Sequence, residues 1–138
     1  MANTKKKTII YCEKKIKAVY DDIKKSAYFK DLDLSVIFCL AAAYGFKKNN
    51  YKKLINVHSG GLLRVEYIEN NNEFKSLLDA IAISHTKSLE VLLDRNQVYE
   101  IAEAYANGGI RVLNQMVFDD RGADFDKEIE FEINKRLK

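Results

Sequence analysis

Residues 97–117 read QVYEIAEAYANGGIRVLNQMV, with apolar or small positions at Val98, Ile101, Ala102, Tyr105, Gly108, Gly109, Val112, Leu113 and Met116. Steps of three and four place these on one face of an α-helix. An adjacent glycine pair ordinarily punctuates a helix, and two glycines inside one cost about 2 kcal/mol relative to alanine. A helix ending at Asn107 would let the following apolar residues restart out of register. The phase instead runs unbroken through Gly108 and Gly109. The spacing therefore predicts a single helix with both glycines on its buried side, where a neighbouring backbone comes close.

The best partner for that face is LSVIFCLAAAY, residues 34–44. It has almost no polar side, and a helix apolar all round is buried all round. Its alanines 41–43 are smooth enough to meet the glycine pair. Asp31 or Asp33 is placed to cap its amino end, and Gly45 to end it in a left-handed conformation with Phe46 folded back on the last turn.

Around these two segments the chain reads as further amphipathic pieces. TIIY, residues 8–11, is a short strand candidate after the basic tail 1–7. Residues 13–28 carry Ile16, Val19, Tyr20, Ile23 and Ala27 at helical spacing, with lysines mostly off the stripe. LLRVEYI, residues 62–68, alternates Leu63, Val65 and Tyr67 against Arg64 and Glu66, the pattern of a strand able to pair with the first. Asparagines 70–72 provide a turn and cap for a helix with Phe74, Leu77, Leu78, Ile81 and Ala82 on one face. TKSLEVLLDRN follows as a linker or short helix, and FDDRGAD reads as a loop. Segment 123–138, with Phe125, Ile129, Ile133 and Leu137 four apart, reads as a carboxy-terminal helix suited to docking on a partner. The expected fold is mainly α: one domain over 1–138, a compact bundle of about five helices with a small two-stranded β element.

Charge is unevenly distributed. Residues 1–53 hold 13 lysines, no arginine and 5 acids, a net of +8; the remainder holds 10 basic and 15 acidic residues, a net of −5. The basic half suits a polyanion, and the acidic half suits a basic protein surface. Lysine-rich composition also accompanies an AT-rich genome, so the charge alone does not choose between these readings. No apolar run is long enough to span a bilayer, and no secretory core follows the basic tail, so a cytoplasmic, non-membrane protein is expected. Cys12 and Cys39 suit neither a disulfide framework nor a zinc site and read as reduced thiols.

Few side chains carry a chemical signature. Lys47, Lys48, Lys52 and Lys53 surround Tyr51, an arrangement of phosphate-binding cations beside a ring able to stack on a base. With Lys5, Lys6 and Lys7 they form the candidate nucleic-acid surface. Lysine neutralises phosphate without identifying a base, so little sequence specificity is expected. A solvated loop with Tyr51 packed inward is the competing reading. The order basic strand, helix, helix also matches a ribbon-helix-helix unit, whose strands pair between two subunits in the major groove, but that signal is weak. His58 and His85 have no partner at metal-ligand or triad spacing, and the aspartates 119, 120, 124 and 126 lack the ligand order of a calcium loop. No catalytic residue, metal or cofactor is expected.

Three stretches, VIFCLAAAYGF at 36–46, LLRVEYIEN at 62–70 and YANGGI at 105–110, together resemble the small Dnd system-associated proteins, encoded beside bacterial DNA-phosphorothioation and related phage-defence genes. The resemblance runs from about Thr8 to Val117. It implies an accessory role in a multi-gene defence system and supplies no catalytic residues. The combined expectation is a non-enzymatic accessory subunit of an anti-phage system, a DNA-binding or adaptor module. Its candidate partners are other protein subunits of a defence complex, DNA and a second copy of the chain. The alternatives are a purely protein-binding scaffold without nucleic-acid contact and, more weakly, a hydrolase or nuclease using His58 or His85 with nearby acids.

Overall fold

A computed structural model describes residues 5–27 and 29–118. In chain order these form β1 (Ile9–Ile10), α1 (Lys14–Lys25), α2 (Leu34–Lys47), β2 (Leu63–Arg64), α3 (Glu66–Glu69), α4 (Asn72–Thr86), a 3₁₀ turn (Leu89–Leu93) and α5 (Arg95–Phe118). The protein is mainly α, with five helices and one antiparallel two-stranded sheet in which Ile9 pairs with Arg64 and Ile10 with Leu63. The expected carboxy-terminal helix at 123–138 and the loop before it lie outside the described residues.

α5 is continuous through Gly108 and Gly109, as the phase of its apolar residues requires. It is also more deeply buried than a one-faced stripe implies. Every residue from Ile101 to Ile110 is buried, including Glu103 and Asn107, because α5 is enclosed by α2, α4, α1 and the amino-terminal arm.

The α2–α5 crossing depends on glycine. A Cβ on Gly109 would lie 1.8 Å from the Ala41 carbonyl oxygen, and one on Gly45 would lie 1.9 Å from that of Tyr105. Each helix thus presents a small residue to the other's backbone, and Ala41 and Ala42 are fully buried beside them. Gly45 is therefore not the helix terminator expected from sequence: it lies inside α2 because the crossing needs a residue without a side chain there. The terminator is Asn49, at φ 52°, a conformation that asparagine tolerates better than most residues. Its amide donates to the Phe46 carbonyl (3.1 Å) and the Asn50 amide donates to that of Gly45 (2.7 Å), the paired bonds of a Schellman end. Phe46 accordingly does not fold back on its own helix but meets the Tyr105 ring edge-on at 5.5 Å.

Three further expectations are corrected. The first helix ends at Lys25, leaving Ala27 exposed rather than in the core. Asp33 sits at the amino cap of α2, yet its side chain makes no capping hydrogen bond. The strand expected over 62–68 stops at Arg64, and the chain turns into α3 at Glu66. The side-chain period changes there from two to 3.6, so Ile68 is fully buried while Tyr67 is 58% exposed. By contrast, Asn71 caps α4 as expected, its side chain accepting from the Phe74 amide at 3.1 Å.

The strand pairing argues against a ribbon-helix-helix reading of β1. Thr8, Ile10 and Cys12 use their carbonyls to accept from the amides of Val65, Leu62 and His58. On the opposite edge, the amides of Lys7 and Tyr11 donate to the Asn96 and Glu103 side chains of α5. Both edges of this arm are thus engaged within the chain.

At the amino end of α5, Arg95 joins three helices. Its guanidinium contacts Asp79 of α4 (2.8 Å) and Glu69 of α3 (3.3 Å), while the Tyr99 hydroxyl donates to Glu69. Burial by itself would raise the Glu69 pKa. The Tyr99 hydrogen bond, then Arg95 and Lys75, outweigh it and hold the carboxyl below its usual value.

Gly45→Ala and Gly109→Ala should each lower stability by about 2–3 kcal/mol through overpacking, measured by urea denaturation. Gly60→Ala, where the nearest obstacle is the movable His58 ring at 3.1 Å, should stay within about 0.5 kcal/mol. Because the folded-state pKa of Glu69 is depressed, its stabilisation is present above the unfolded carboxylate value and is lost as pH falls through the folded one. Glu69→Gln should therefore flatten the acid limb of a stability-against-pH curve and cost about 1 kcal/mol at neutral pH.

Candidate nucleic-acid interface

The basic loop begins where α2 ends and is fastened to the middle of α5. Asn50 Nδ2 donates to the Gly108 carbonyl at 3.1 Å, and a Cβ on Gly108 would lie 1.9 Å from the Asn50 oxygen. Gly108 therefore serves the loop, whereas Gly109 serves the helix crossing. The Lys52 amide donates to the Ala104 carbonyl (3.0 Å), and Asn107 Nδ2 donates to the Lys52 carbonyl (3.0 Å). Both main-chain groups of Lys52 are thus fixed while its side chain remains outside. Lys47, Lys48, Lys52 and Lys53 are all exposed, and none forms an ion pair with a described carboxylate. The carbonyl end of α2 also favours cations at Lys47 and Lys48.

Tyr51 points the other way. Its half-buried ring stacks on His85 at 4.5 Å with planes 18° apart, and meets the edge of Tyr105 at 4.9 Å and 74°. Burial raises its hydroxyl pKa, with Tyr105 and Glu100 adding to the shift. Tyr51 therefore acts as the loop's anchor on α4 and α5. Beside it, Lys53, Leu54, His85, Gln97, Glu100, Ile101, Glu103 and Ala104 complete a groove of ≈ 370 Å³, near the lower end of the volumes that hold small ligands.

The amino-terminal lysines divide into two kinds. Lys5 and Lys6 are exposed, and the Lys5 carbonyl accepts from Asn96 Nδ2 at 2.7 Å. Lys7 turns inward: its ammonium lies 2.9 Å from Glu103 and 4.8 Å from the centre of the Tyr11 ring. Glu103, whose side chain is 8% exposed, also accepts from the Tyr11 amide at 2.6 Å. Burial raises its pKa above the usual glutamate value, and Lys7 and the Tyr11 amide offset only part of that effect. The charge of Lys7 is consequently taken up inside the protein.

Sequence reasoning missed Glu103 and Asn107, and took His85 only as a weak catalytic candidate and Tyr105 only as a position on the buried helix face. A signal for Glu103 and Asn107 was present, since Glu103, Asn107 and Arg111 recur every four residues in a stretch, Ile101 to Leu113, that is otherwise apolar or small. That row faces the arm and the loop: Arg111 reaches Glu13 at 3.3 Å, and Glu13 in turn accepts from the Ile55 amide at 3.0 Å. Cys12 and Cys39 are free and buried, their thiols pushed up to about 11 and about 12 by desolvation. His58 lies in a turn against Gly60. Among the described residues no group of three or more potential ligands converges as a metal site, and no helix is long and apolar enough to cross a membrane.

These features define a small, mainly α protein built on a buried glycine-containing helix, with an exposed lysine loop pinned to that helix. The family model described as DNA sulphur modification system-associated protein 4 matches residues 13–136, and the chain belongs to this family. The match extends beyond Val117, where the resemblance visible in the sequence ended, and omits β1. No curated protein and no solved structure matches the chain.

Lys7→Met should leave Glu103 buried without its counter-ion and cost about 3 kcal/mol, with Lys7→Met/Glu103→Met recovering much of the loss. The folded-state pKa of Glu103 is raised, so its unfavourable contribution grows as pH rises from the ordinary glutamate value through the raised one. Removing Lys7 should steepen that fall in stability, measured by thermal melting across the acid range.

Proposed function

We propose that this chain is a non-enzymatic accessory subunit of a bacterial anti-phage DNA sulphur modification system, acting as a DNA-binding or adaptor module that contacts phosphates without reading sequence. The observation that carries this reading is the group of exposed lysines 47, 48, 52 and 53, free of ion pairs with described carboxylates, on a loop whose backbone is fixed to α5. Cations already held in place lose less conformational entropy when they meet phosphates. Lys5 and Lys6 extend the candidate contact surface, whereas Lys7 serves Glu103. Membership of a family associated with DNA sulphur modification supports a place beside DNA-handling proteins.

An adaptor role without nucleic-acid contact is favoured by a different observation. Leu89 and Leu93, on the 3₁₀ turn, are among the most exposed large apolar side chains, and such groups are more useful to a protein partner than to phosphate.

Fluorescence-anisotropy titration with duplex DNA at several salt concentrations tests the proposal. Wild-type affinity should fall steeply with salt, and reversing Lys47, Lys48, Lys52 and Lys53 to glutamate should abolish binding. The exposure of these side chains predicts a change in stability of only about 0.5 kcal/mol for each. If they supply four phosphate contacts, they account for a log–log salt slope of about −3 to −4. Salt-insensitive binding, or unchanged affinity in the reversed variant, would refute the assignment. No DNA binding at low salt, with stable co-purification of another subunit, would establish the adaptor reading instead.

A further inference from the structure

The ring that the basic loop offers to a ligand is not the one within the loop. Tyr51 is half-buried, with one face against His85 and the edge of Tyr105 beside it. His85, at the carboxy-terminal end of α4, is exposed. It is nevertheless held in place: Tyr51 stacks on it at 4.5 Å, the Tyr105 hydroxyl is hydrogen-bonded to its Nδ1 at 2.8 Å, and the Tyr105 ring stands nearly perpendicular at 88°. An imidazole has two faces. Tyr51 stacks on one of them and Tyr105 takes the Nδ1 edge, so the second face is the one no described ring stacks on.

We infer that His85 is the stacking platform for an unpaired nucleobase, seated at the groove that His85 shares with Lys53, Gln97 and Glu100. This rests on the DNA-binding reading above and adds to it a ligand class, a base outside a duplex stack. Bases inside a duplex already cover one another's faces, so an aromatic side chain stacks on a base only where the strand is single or the base has left the helix. A ring fixed beforehand by Tyr51 and Tyr105 loses little rotamer freedom on contact. Lys53, on the same groove, supplies the cation for the attached phosphate. Gln97 and Glu100 supply polar groups for a base edge. Of the two carboxylates lining the groove, Glu103 is paired with Lys7, which leaves Glu100 as the one that disfavours phosphate there. The phosphate therefore belongs toward Lys53 and the base toward His85.

The test uses the full chain and a single-stranded oligonucleotide carrying one 2-aminopurine, whose fluorescence reports stacking, with a duplex of the same length as the comparison. Wild-type protein should change the 2-aminopurine signal on binding. His85→Ala should abolish that change and weaken single-strand binding about tenfold, leaving duplex affinity and its salt slope unaltered, and His85→Trp should restore the signal. His85→Gln, which keeps a hydrogen-bonding group near Tyr105 without a ring, should behave like His85→Ala and substitutes for it if the alanine variant fails to fold by circular dichroism. Single-strand binding with the same signal change in both ring-less variants would overturn the stacking role while leaving the phosphate surface intact. A parallel loss of duplex affinity would show that His85 merely supports the loop, and would also overturn it. Failure of the wild type to bind any DNA at low salt would remove the DNA-binding reading and this inference together.

Discussion

The close approach of two backbones holds this protein together. Where α2 crosses α5, Gly45 lies against the Tyr105 carbonyl and Gly109 against that of Ala41, at separations that leave no room for a side chain. Such a contact gathers van der Waals attraction along both helices, which offsets the unfavourable helix propensity of three glycines. It also draws the end of α2 down onto α5, so that Asn50 reaches Gly108. The start of the lysine loop is therefore set by the same crossing that forms the core.

Because α5 is enclosed along much of its length, its polar side chains need partners from the chain around it. Asn96 and Glu103 complete the outer edge of the amino-terminal arm, Asn107 holds the loop at Lys52, and Arg111 reaches Glu13 at the start of α1. One helix thus fixes the arm, the loop and the first helix relative to one another. At its amino end Arg95 does the same for α3 and α4. The surface with the most evident functional potential, the lysine loop with Tyr51 and His85, is built on this framework, with its cations and the His85 ring outside and Tyr51 half-buried against that ring.

The main helices, the contact of Gly109 with Ala41 of α2, the pairing of the two short strands and the family were legible in the sequence, whereas Gly108 meets Asn50 of the loop rather than an alanine. They rest on local periodicity, on caps such as Asn71 and on residues whose missing side chains advertise close packing. The places where the reading departed from the structure share a cause. Gly45 looked like a terminator because glycine often ends helices, but the demand of the crossing outranked that preference, and Asn49 took the left-handed position. Residues 65–68 alternate like a strand, yet the chain turns there into a helix that buries Ile68.

Local pattern by itself determined the four longer helices, that one of them carries its glycines on a buried face, and that the cations gather in the first half of the chain. Only the tertiary structure decided which of those cations are free. Lys7 and Lys47 are indistinguishable in sequence, but Lys7 meets a buried carboxylate 96 residues along from it while Lys47 meets no described one. Likewise, nothing local to Tyr51 says that His85 and Tyr105 will cover it, or that His85 will hold the exposed face. Periodicity is a property of neighbouring residues, whereas charge pairing and ring stacking depend on residues brought together by folding.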